Sequence, residues 1–187
     1  MQIDYNKKYY LKEFLKIIKN IEGWYELING KICLMPSNTI THQRIKGFIL
    51  FEVGNYLEGK SCGEVLMSPL DVVLFKKCKK KSQNVFQPDV FVVCDPKKIS
   101  KKRIYGAPDL VFEIVDEATT ENDYIYKFNM YMQYGVKEYW IVNPMTKQIM
   151  VYKKDKKGLK VYNYSFSDKI KVGIFDDFEI DFKELQI

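Results

Sequence analysis

Long apolar segments, linkers and repeats are absent from this sequence of 187 residues. No apolar run approaches the roughly 20 residues needed to cross a bilayer, and the first residues lack the continuous apolar stretch of a secretory signal. Because no linker divides the sequence, we expect a single domain over residues 1–187, which is long enough to form a real core. We also expect no association with a membrane.

Histidine and paired cysteines are scarce as well. The single histidine, His42, and four scattered cysteines without a CxxC pair argue against a structural zinc site. There is no GxSxG elbow and no glycine-rich phosphate loop, so we expect neither a nucleophilic hydrolase triad nor a nucleotide cofactor. Reduced thiols are typical of cytoplasmic proteins, and we expect this location.

Arginine is rare although the chain is basic. Only two of the 30 basic residues, Arg44 and Arg103, are arginines, and the formal net charge is +6. A polyanionic partner such as DNA is one interpretation, because clustered cations bind phosphates. The other is a general richness in Lys, Ile, Asn and Tyr along the whole chain. Charge alone does not separate the two.

Apolar spacing and turn residues predict the order of helices and strands. We predict helices over 9–19, from Thr39 or Thr41 to about Leu57, and from Thr119 or Thr120 to about Tyr134. Predicted strands lie within 64–75, 85–93, 108–115 and 137–144, with hairpins over 23–35 and 148–165 and a terminal strand within 177–185. This order predicts an α+β fold, a mixed β-sheet flanked by helices with additional β-hairpins.

Two acidic residues stand in segments that otherwise resemble central strands. Glu113 lies in the middle of the apolar run LVFEIV, and Asp89 begins the apolar run DVFVV. If the two strands pair, both carboxylates emerge at one edge of the sheet, a few ångströms apart. Two carboxylates with nearby backbone carbonyls are suited to Mg²⁺ or Mn²⁺, and the ion would offset their mutual repulsion.

Three further charged residues have an open interpretation. Lys127 follows on the next predicted helix, at the edge of its packed face, and Asp123 one turn earlier can hold it in an i, i+4 pair. The pair is either part of a site or an ordinary surface pair. Glu52 falls between Phe48 and Tyr56 on the apolar stripe of its helix, where it either snorkels to a lysine or points into a site.

The combined motifs resemble a known family. The order QPDV, GAPDLVFEIV and TTENDYIYKFNMYMQYGVKEYWIVNP, with YELINGKI and THQRI upstream, is similar to the Uma-two family of restriction-endonuclease-like proteins. That family belongs to the PD-(D/E)XK nuclease superfamily. The resemblance covers nearly the whole chain and implies a sheet with flanking helices and a divalent-metal nuclease site.

The resemblance also implies roles for individual residues. Asp89 and Glu113 match the two acids of the motif. Val115 stands where the standard motif has lysine, and Lys127 on the following helix matches the displaced lysine. Further matches are the first-helix acid Glu52 and the positions typical of the family, His42 and Glu26. Asp109 is interpreted as shaping the start of its strand, because Pro108 forces an extended backbone.

Two functions are compatible with these residues. The first is a Mg²⁺- or Mn²⁺-dependent endonuclease that acts on DNA, either as a monomer or as a homodimer. In it the Ile114 carbonyl joins the carboxylate ligands of the metal, and Lys127 orients or deprotonates water. The second is a binding module for nucleic acid or protein that does not cleave.

The lysine-rich loop Lys76–Lys81, with Lys79, Lys80 and Lys81, is either a phosphate-binding loop beside the site or a solvated hairpin loop.

Overall fold

A computed structural model describes residues 3–116, 122–156 and 158–187 of the protein. Within these ranges the helices are α1 (Leu11–Ile18), α2 (Ile40–Leu57), a π-helix (Asn122–Lys127), α3 (Phe128–Tyr134) and short 3₁₀ turns at Lys79–Lys81, Pro96–Lys98 and Phe182–Glu184. The strands are β1 (Tyr25–Ile28), β2 (Lys31–Leu34), β3 (Glu64–Met67), β4 (Val72–Leu74), β5 (Asn84–Phe86), β6 (Val90–Val93), β7 (Ile104–Tyr105), β8 (Leu110–Ile114), β9 (Glu138–Asn143), β10 (Gln148–Asp155), β11 (Gly158–Ser165), β12 (Lys169–Lys171) and β13 (Glu179–Asp181).

The described strands form two larger sheets and a small one. The six-stranded sheet has the order β11-β10-β9-β8-β6-β3, the five-stranded sheet the order β2-β1-β5-β4-β7, and β12 pairs with β13. In the six-stranded sheet β8 and β9 are parallel, whereas the other neighbours are antiparallel. This mixed arrangement with flanking helices confirms the predicted α+β fold class.

The six-stranded sheet is covered on both faces. Leu110, Phe112 and Ile114 of β8 pack in one apolar cluster with Ile45 and Ile49 of α2. The alternate residues of β8 face a second cluster formed with α3 and the five-stranded sheet. Because side chains alternate along a strand, a strand between two apolar layers reads as a continuous apolar run. The prediction that central strands lie within 85–93 and 108–115 is therefore confirmed for β6 and β8.

Local turn and cap signals are also confirmed. Asn29 and Gly30 have φ values of 50° and 82°, which suits the two-residue turn between β1 and β2. The backbone N–H of His42 donates to Oγ1 of Thr39 at 3.1 Å, so α2 is capped by the first of the two predicted threonines. The predicted start of the later helix at Thr119 or Thr120 lies outside the described residues.

Two predicted strands are each divided between the two large sheets. Residues 64–75 form β3 and β4, which are separated at Pro69, and residues 85–93 form β5 and β6, which are separated at Pro88. The prediction of single strands was wrong here, because proline has no N–H to donate to a strand partner. Both breaks lie where the chain crosses between sheets, and this crossing opens the cleft described below.

The segment before α3 is wider than an α-helix. Asn122–Lys127 forms a π-helix that continues directly into α3, and α3 ends at Gly135 in the left-handed conformation. Both Asp123 and Lys127 lie on this π-helix, a rare form that is frequent at functional sites. Within the described ranges, no helix combines the length and the apolar character that a membrane span requires.

Candidate active site

A cleft of about 320 Å³ lies where the two large sheets meet. Its walls come from the connections between sheets, the first turns of α2, the end of β8 and the π-helix. The residues that line it are Trp24, Met35, Pro36, Asn38, His42, Gln43, Lys46, Met67, Ser68, Pro69, Gln87, Asp89, Glu113, Ile114, Asp116, Asp123 and Lys127. Six of the predicted site residues therefore face one cavity, namely His42, Asp89, Glu113, Ile114, Asp123 and Lys127.

Asp89 and Glu113 are brought together by the pairing of β6 with β8. The last paired residues are Val90 and Phe112, so Asp89 and Glu113 are the next residues along the two neighbouring strands. The backbone N–H of Ile114 donates to Oδ2 of Asp89 at 2.9 Å. Nε2 of His42 lies 3.1 Å from the same oxygen. Both carboxylates are buried at their strand positions, as the sequence predicted.

Lys127 is the centre of a buried ionic cluster. Its Nζ lies 3.1 Å from Oε1 of Glu113, 3.2 Å from Oε1 of Glu26 and 3.2 Å from Oδ1 of Asp123. The lysine side chain is only 2% exposed. The interpretation of Asp123 and Lys127 as an ordinary surface pair is therefore wrong. The pair exists with the predicted spacing, but it is buried and shared with two more carboxylates.

Burial dominates the electrostatics of this cluster. Burial raises the pKa of Glu113 well above its ordinary value, against the opposing effect of Lys127, and nearby Asp123 and Asp89 raise it further. Burial likewise raises the pKa of Glu26. For Lys127 burial acts to lower the pKa, but the surrounding carboxylates outweigh it and raise the pKa well above 10.5. Lys127 is therefore a permanent cation at neutral pH.

Neighbouring backbone and side-chain groups fix this cluster in place. The hydroxyl of Tyr131 donates to Oε1 of Glu113 at 2.9 Å, and the N–H of Gln87 donates to Oε1 of Glu26 at 2.7 Å. Oε2 of Glu26 and Nδ1 of His42 are buried without a hydrogen-bond partner in the part of the chain described. Glu26 and His42, predicted from family resemblance alone, thus lie beside the cleft residues, one against Lys127 and the other against Asp89.

Lys46 is a cleft residue that the sequence analysis missed. It lies on α2 four residues after His42 and is 5% exposed, and its Nζ donates to the backbone oxygen and the hydroxyl of Ser68. Burial lowers its pKa, while Asp89 and Glu113 act in the opposite direction. A signal was present in the sequence, because residues four apart share a helix face and His42 was already a candidate site residue.

Glu52 is not among the residues that line the cleft, so the structure does not bring this predicted metal ligand together with Asp89 and Glu113. The buried face of α2 contains His42, Ile45, Ile49 and Val53, so its centre lies to one side of Glu52. Ten residues beyond His42 correspond to about 15 Å along the helix axis. The pKa of Glu52 is raised by burial and by Glu184 near the C-terminus, which identifies its actual surroundings.

Asp109 is also outside the cleft, and it is held by structural contacts. Its Oδ2 accepts a hydrogen bond from the N–H of Cys94 at 2.9 Å, and its Oδ1 lies 2.8 Å from Nζ of Lys137. These contacts join the start of β8 to its neighbours. They agree with the prediction that Asp109 shapes the beginning of its strand, but an accessory role in the site is not supported.

The lysine loop Lys76–Lys81 lies at the far end of the β4–β5 hairpin from the cleft. The cleft contacts the other end of this hairpin, at Pro69 and Gln87. The loop instead leads to Ser82, whose backbone oxygen accepts a hydrogen bond from the N–H of Leu11 in α1 at 2.9 Å. Its predicted position beside the site is therefore wrong, and contact of Lys79, Lys80 and Lys81 with phosphates stays a prediction.

The donor groups of the cleft fit a hard divalent cation. Five carboxyl groups lie in or beside it, from Glu26, Asp89, Glu113, Asp116 and Asp123, and only two amines, from Lys46 and Lys127, so acidic groups are in excess. In the described ranges, no group of three or more His, Cys, Asp or Glu side chains is arranged to hold a metal by itself. Mg²⁺ needs only one or two carboxylates and keeps several waters, so Asp89 and Glu113 suffice.

Comparison with known proteins bears on the family and the fold. The family described as "Uma2: Putative restriction endonuclease" matches residues 11–183. Uncharacterized protein slr1290 of Synechocystis sp. is 26% identical over 163 residues, which are 86% of this chain and 83% of that protein. A crystal structure of "a putative nuclease belonging to DUF820" from Anabaena variabilis superposes with a TM-score of 0.74 and 17% identity, covering 95% of this chain and 97% of the other. This last similarity shows a common fold.

Proposed function

Because this chain belongs to the Uma2 family of restriction-endonuclease-like proteins, we propose that it is a divalent-metal-dependent endonuclease that hydrolyses DNA phosphodiester bonds. One observation carries the proposal above all. Asp89 and Glu113 lie side by side at the ends of two paired strands and face an open cleft. Neighbouring carboxylates repel each other, and a bound Mg²⁺ or Mn²⁺ would offset that repulsion.

Asp89, Glu113 and the backbone carbonyl of Ile114 are the residues that would hold the ion. When bound, it would polarise a phosphoryl oxygen and lower the pKa of a coordinated water. His42 orients Asp89 through its contact with Oδ2. Glu113 is oriented by the hydroxyl of Tyr131. Ordered carboxylates lose little conformational entropy when a ligand binds, so these contacts prepare the site.

Lys127 orients groups in this site and does not deprotonate water. A general base needs a pKa near the working pH, whereas the carboxylates around Lys127 hold its pKa well above 10.5. Its positive charge keeps Glu113, Glu26 and Asp123 together. The deprotonating role offered from the sequence is therefore dropped from the proposal, in which Lys127 orients the carboxylates, and orientation of water by Lys127 stays a prediction.

The natural partner in this proposal is DNA, and the protein would act in the cytoplasm. Cys33, Cys62, Cys78 and Cys94 are free thiols, which supports a reducing compartment. Cleavage of both strands of a duplex would need two such clefts, and a homodimer would supply them. Light scattering of the protein with and without duplex DNA measures this assembly state.

A non-cleaving binding module is the second candidate, and one observation favours it. Oε1 of Glu113 already has a hydroxyl donor in Tyr131 and a cation in Lys127, so part of its charge is met inside the protein. In a binding module this network would be only structural. The two candidates differ in a simple respect, because only the nuclease changes the covalent structure of DNA.

Conversion of supercoiled plasmid to nicked and linear forms tests the proposal. The wild type should nick DNA in Mg²⁺ or Mn²⁺ and not in EDTA. Asp89→Asn, purified identically, should lose this activity, since the amide keeps the hydrogen bond from Ile114 but removes the charge that holds the cation. Glu179→Gln, which changes an exposed acid far from the cleft, should retain it. Equal nicking by the Asp89 variant would show that the activity comes from elsewhere.

A further inference from the structure

Lys46 brings a second amine into the same cleft, and its hydrogen-bond partners differ from those of Lys127. Its side chain extends from α2 toward the turn that joins β3 to β4, and it lines the cleft together with Asp89 and Glu113. The residue is 5% exposed. Lysine is almost never this buried unless it is paired, so the nature of its partner is informative.

The protein supplies only part of the hydrogen bonding that Lys46 needs. An ammonium group has three N–H donors and no acceptor. The backbone oxygen of Ser68 accepts one at 3.1 Å, and the hydroxyl of Ser68 accepts another. Among the described residues, no third acceptor is found for this nitrogen. The remaining donor belongs to a side chain that lines an open cleft.

The charge of Lys46 is not met either. Within the described ranges, no carboxylate forms an ion pair with it, whereas Lys127 has three. Asp89 and Glu113 are close enough to raise the pKa of Lys46 but do not touch its amine. A buried cation without an anion is unfavourable unless a ligand provides one. Asp89 and Glu113 would repel an anion bound between them and Lys46, so such an anion would also need a bound cation at the two carboxylates.

We propose that Lys46 binds a phosphate of the DNA backbone at the position next to Asp89 and Glu113. The inference rests on the proposed function and adds to it the residue that receives the phosphate. The third N–H of Lys46 donates to a phosphate oxygen, and a metal ion held by Asp89 and Glu113 would supply a second positive charge for that phosphate. Charge-assisted hydrogen bonds of this kind are among the stronger ones in proteins.

Ser68 has a defined part in this arrangement. A free lysine side chain loses considerable rotamer entropy when it is fixed on a ligand. Two hydrogen bonds to Ser68 hold the amine in the cleft before the ligand arrives, so less entropy is lost on binding. Ser68 is thus a positioning residue, and its removal should weaken phosphate binding less than the removal of Lys46.

The test compares Lys46→Met with Lys12→Met. Methionine keeps the length and apolar stem of lysine and removes the charge, and Lys12 is an exposed helical lysine on α1, remote from the cleft. Binding of a fluorescein-labelled DNA duplex is measured by anisotropy over a range of salt concentrations, with Ca²⁺ present and the absence of cleavage checked on a gel. Mn²⁺ binding by calorimetry and thermal unfolding are measured on the same samples.

We expect Lys46→Met to bind the duplex about tenfold more weakly and to reduce the slope of log affinity against log salt by about one. Ser68→Ala should show a smaller loss of affinity, and Lys12→Met should match the wild type. Mn²⁺ affinity and melting temperature should not fall in Lys46→Met, because the amine is neither a metal ligand nor paired with a carboxylate. A purely structural lysine would instead lower the melting temperature.

Two results separate this inference from the proposed function. If the wild type fails to nick plasmid but loses duplex binding with Lys46→Met, the nuclease proposal fails and the phosphate site is supported. If the wild type nicks plasmid and Lys46→Met binds and nicks equally well, the nuclease proposal stands and the role of Lys46 is overturned. Ser68→Ala gives the same decision if the methionine variant does not fold.

Discussion

Lys46 and Lys127 lie in the same cleft, on opposite sides of it, and are satisfied in opposite ways. Lys127 belongs to the π-helix and has three carboxylates within 3.2 Å. Lys46 belongs to α2 and donates to Ser68, with no carboxylate paired to it among the described residues. Accordingly the pKa of Lys127 is raised and that of Lys46 is lowered by burial.

The difference indicates which lysine serves the fold and which is open to a ligand. A cation surrounded by buried carboxylates holds those carboxylates together, and its loss leaves uncompensated charge in the interior. A buried cation without an anion contributes little to the fold and is stabilised when an anion arrives. Removal of each lysine should therefore affect different measurements, stability in one case and binding in the other.

The largest expected effect is on stability in Lys127→Met. This change leaves Glu26, Glu113 and Asp123 buried without their shared cation, and breaking such pairs costs about 3–5 kcal/mol. Urea unfolding at neutral pH measures the loss. The deficit should shrink in acid. The raised pKa values of Glu26 and Glu113 mean that their contribution to stability is full below about 4.5 and is lost as pH rises through the folded values.

A double variant checks the cause of that loss. Lys127→Met combined with Glu26→Gln removes one of the uncompensated carboxylates, so it should be more stable than Lys127→Met alone. If the second change instead adds to the destabilisation, the ionic cluster is not the reason for the effect. The single variant Glu26→Gln completes the double-mutant cycle.

A smaller effect of opposite sign is expected for Lys46→Met. The pKa of Lys46 is depressed below 10.5, so its contribution to stability is present above that value and is lost as pH falls through the folded pKa. Wild type should therefore lose stability relative to Lys46→Met as pH falls from about 10.5. Unfolding curves of both proteins across this window measure the trend. A wild type that instead gains stability over the variant would contradict the contrast between the two lysines.

The smallest effect is expected for Glu52→Gln, which serves as a negative control on α2. Because Glu52 lies near Glu184 and outside the cleft, the Mn²⁺ affinity of the variant in calorimetry should match that of the wild type. Residues that bind or orient a metal typically change the affinity by about tenfold or more. A loss of that size would show that Glu52 belongs to the metal site, which would require a different orientation of α2.

The fold was largely predictable because local patterns and tertiary contacts agree. The turn at Asn29-Gly30, the cap at Thr39 and the apolar run around Glu113 each correspond to an observed element. The strand breaks at Pro69 and Pro88 were missed. Apolar residues continue on both sides of each proline, and the sequence does not show that the chain changes sheets there.

From the residue pattern alone, the site was most predictable where an acid lies in or at the start of an apolar strand, whereas Glu26 and His42 came from the family resemblance. Asp89 and Glu113 carry that signal. Lys46 does not, because one lysine among 30 basic residues is ordinary until the fold buries it. Glu52 was misplaced for a related reason. The sequence alone does not fix which side of an apolar helical stripe is the most buried, and in α2 the buried face is centred on Ile49. Burial of charge was thus the missing information.

Binding of one divalent ion by Asp89 and Glu113 is the central element of the proposed site. Calorimetric titration of Mn²⁺ into wild type and Glu113→Gln at neutral pH tests it directly, with folding checked by circular dichroism. We predict one Mn²⁺ per wild-type chain and an affinity lower by about tenfold or more in the variant. The metal-free variant should be at least as stable as wild type, because a carboxylate with a raised pKa is removed. Unchanged Mn²⁺ binding by a folded Glu113→Gln protein would contradict the claim.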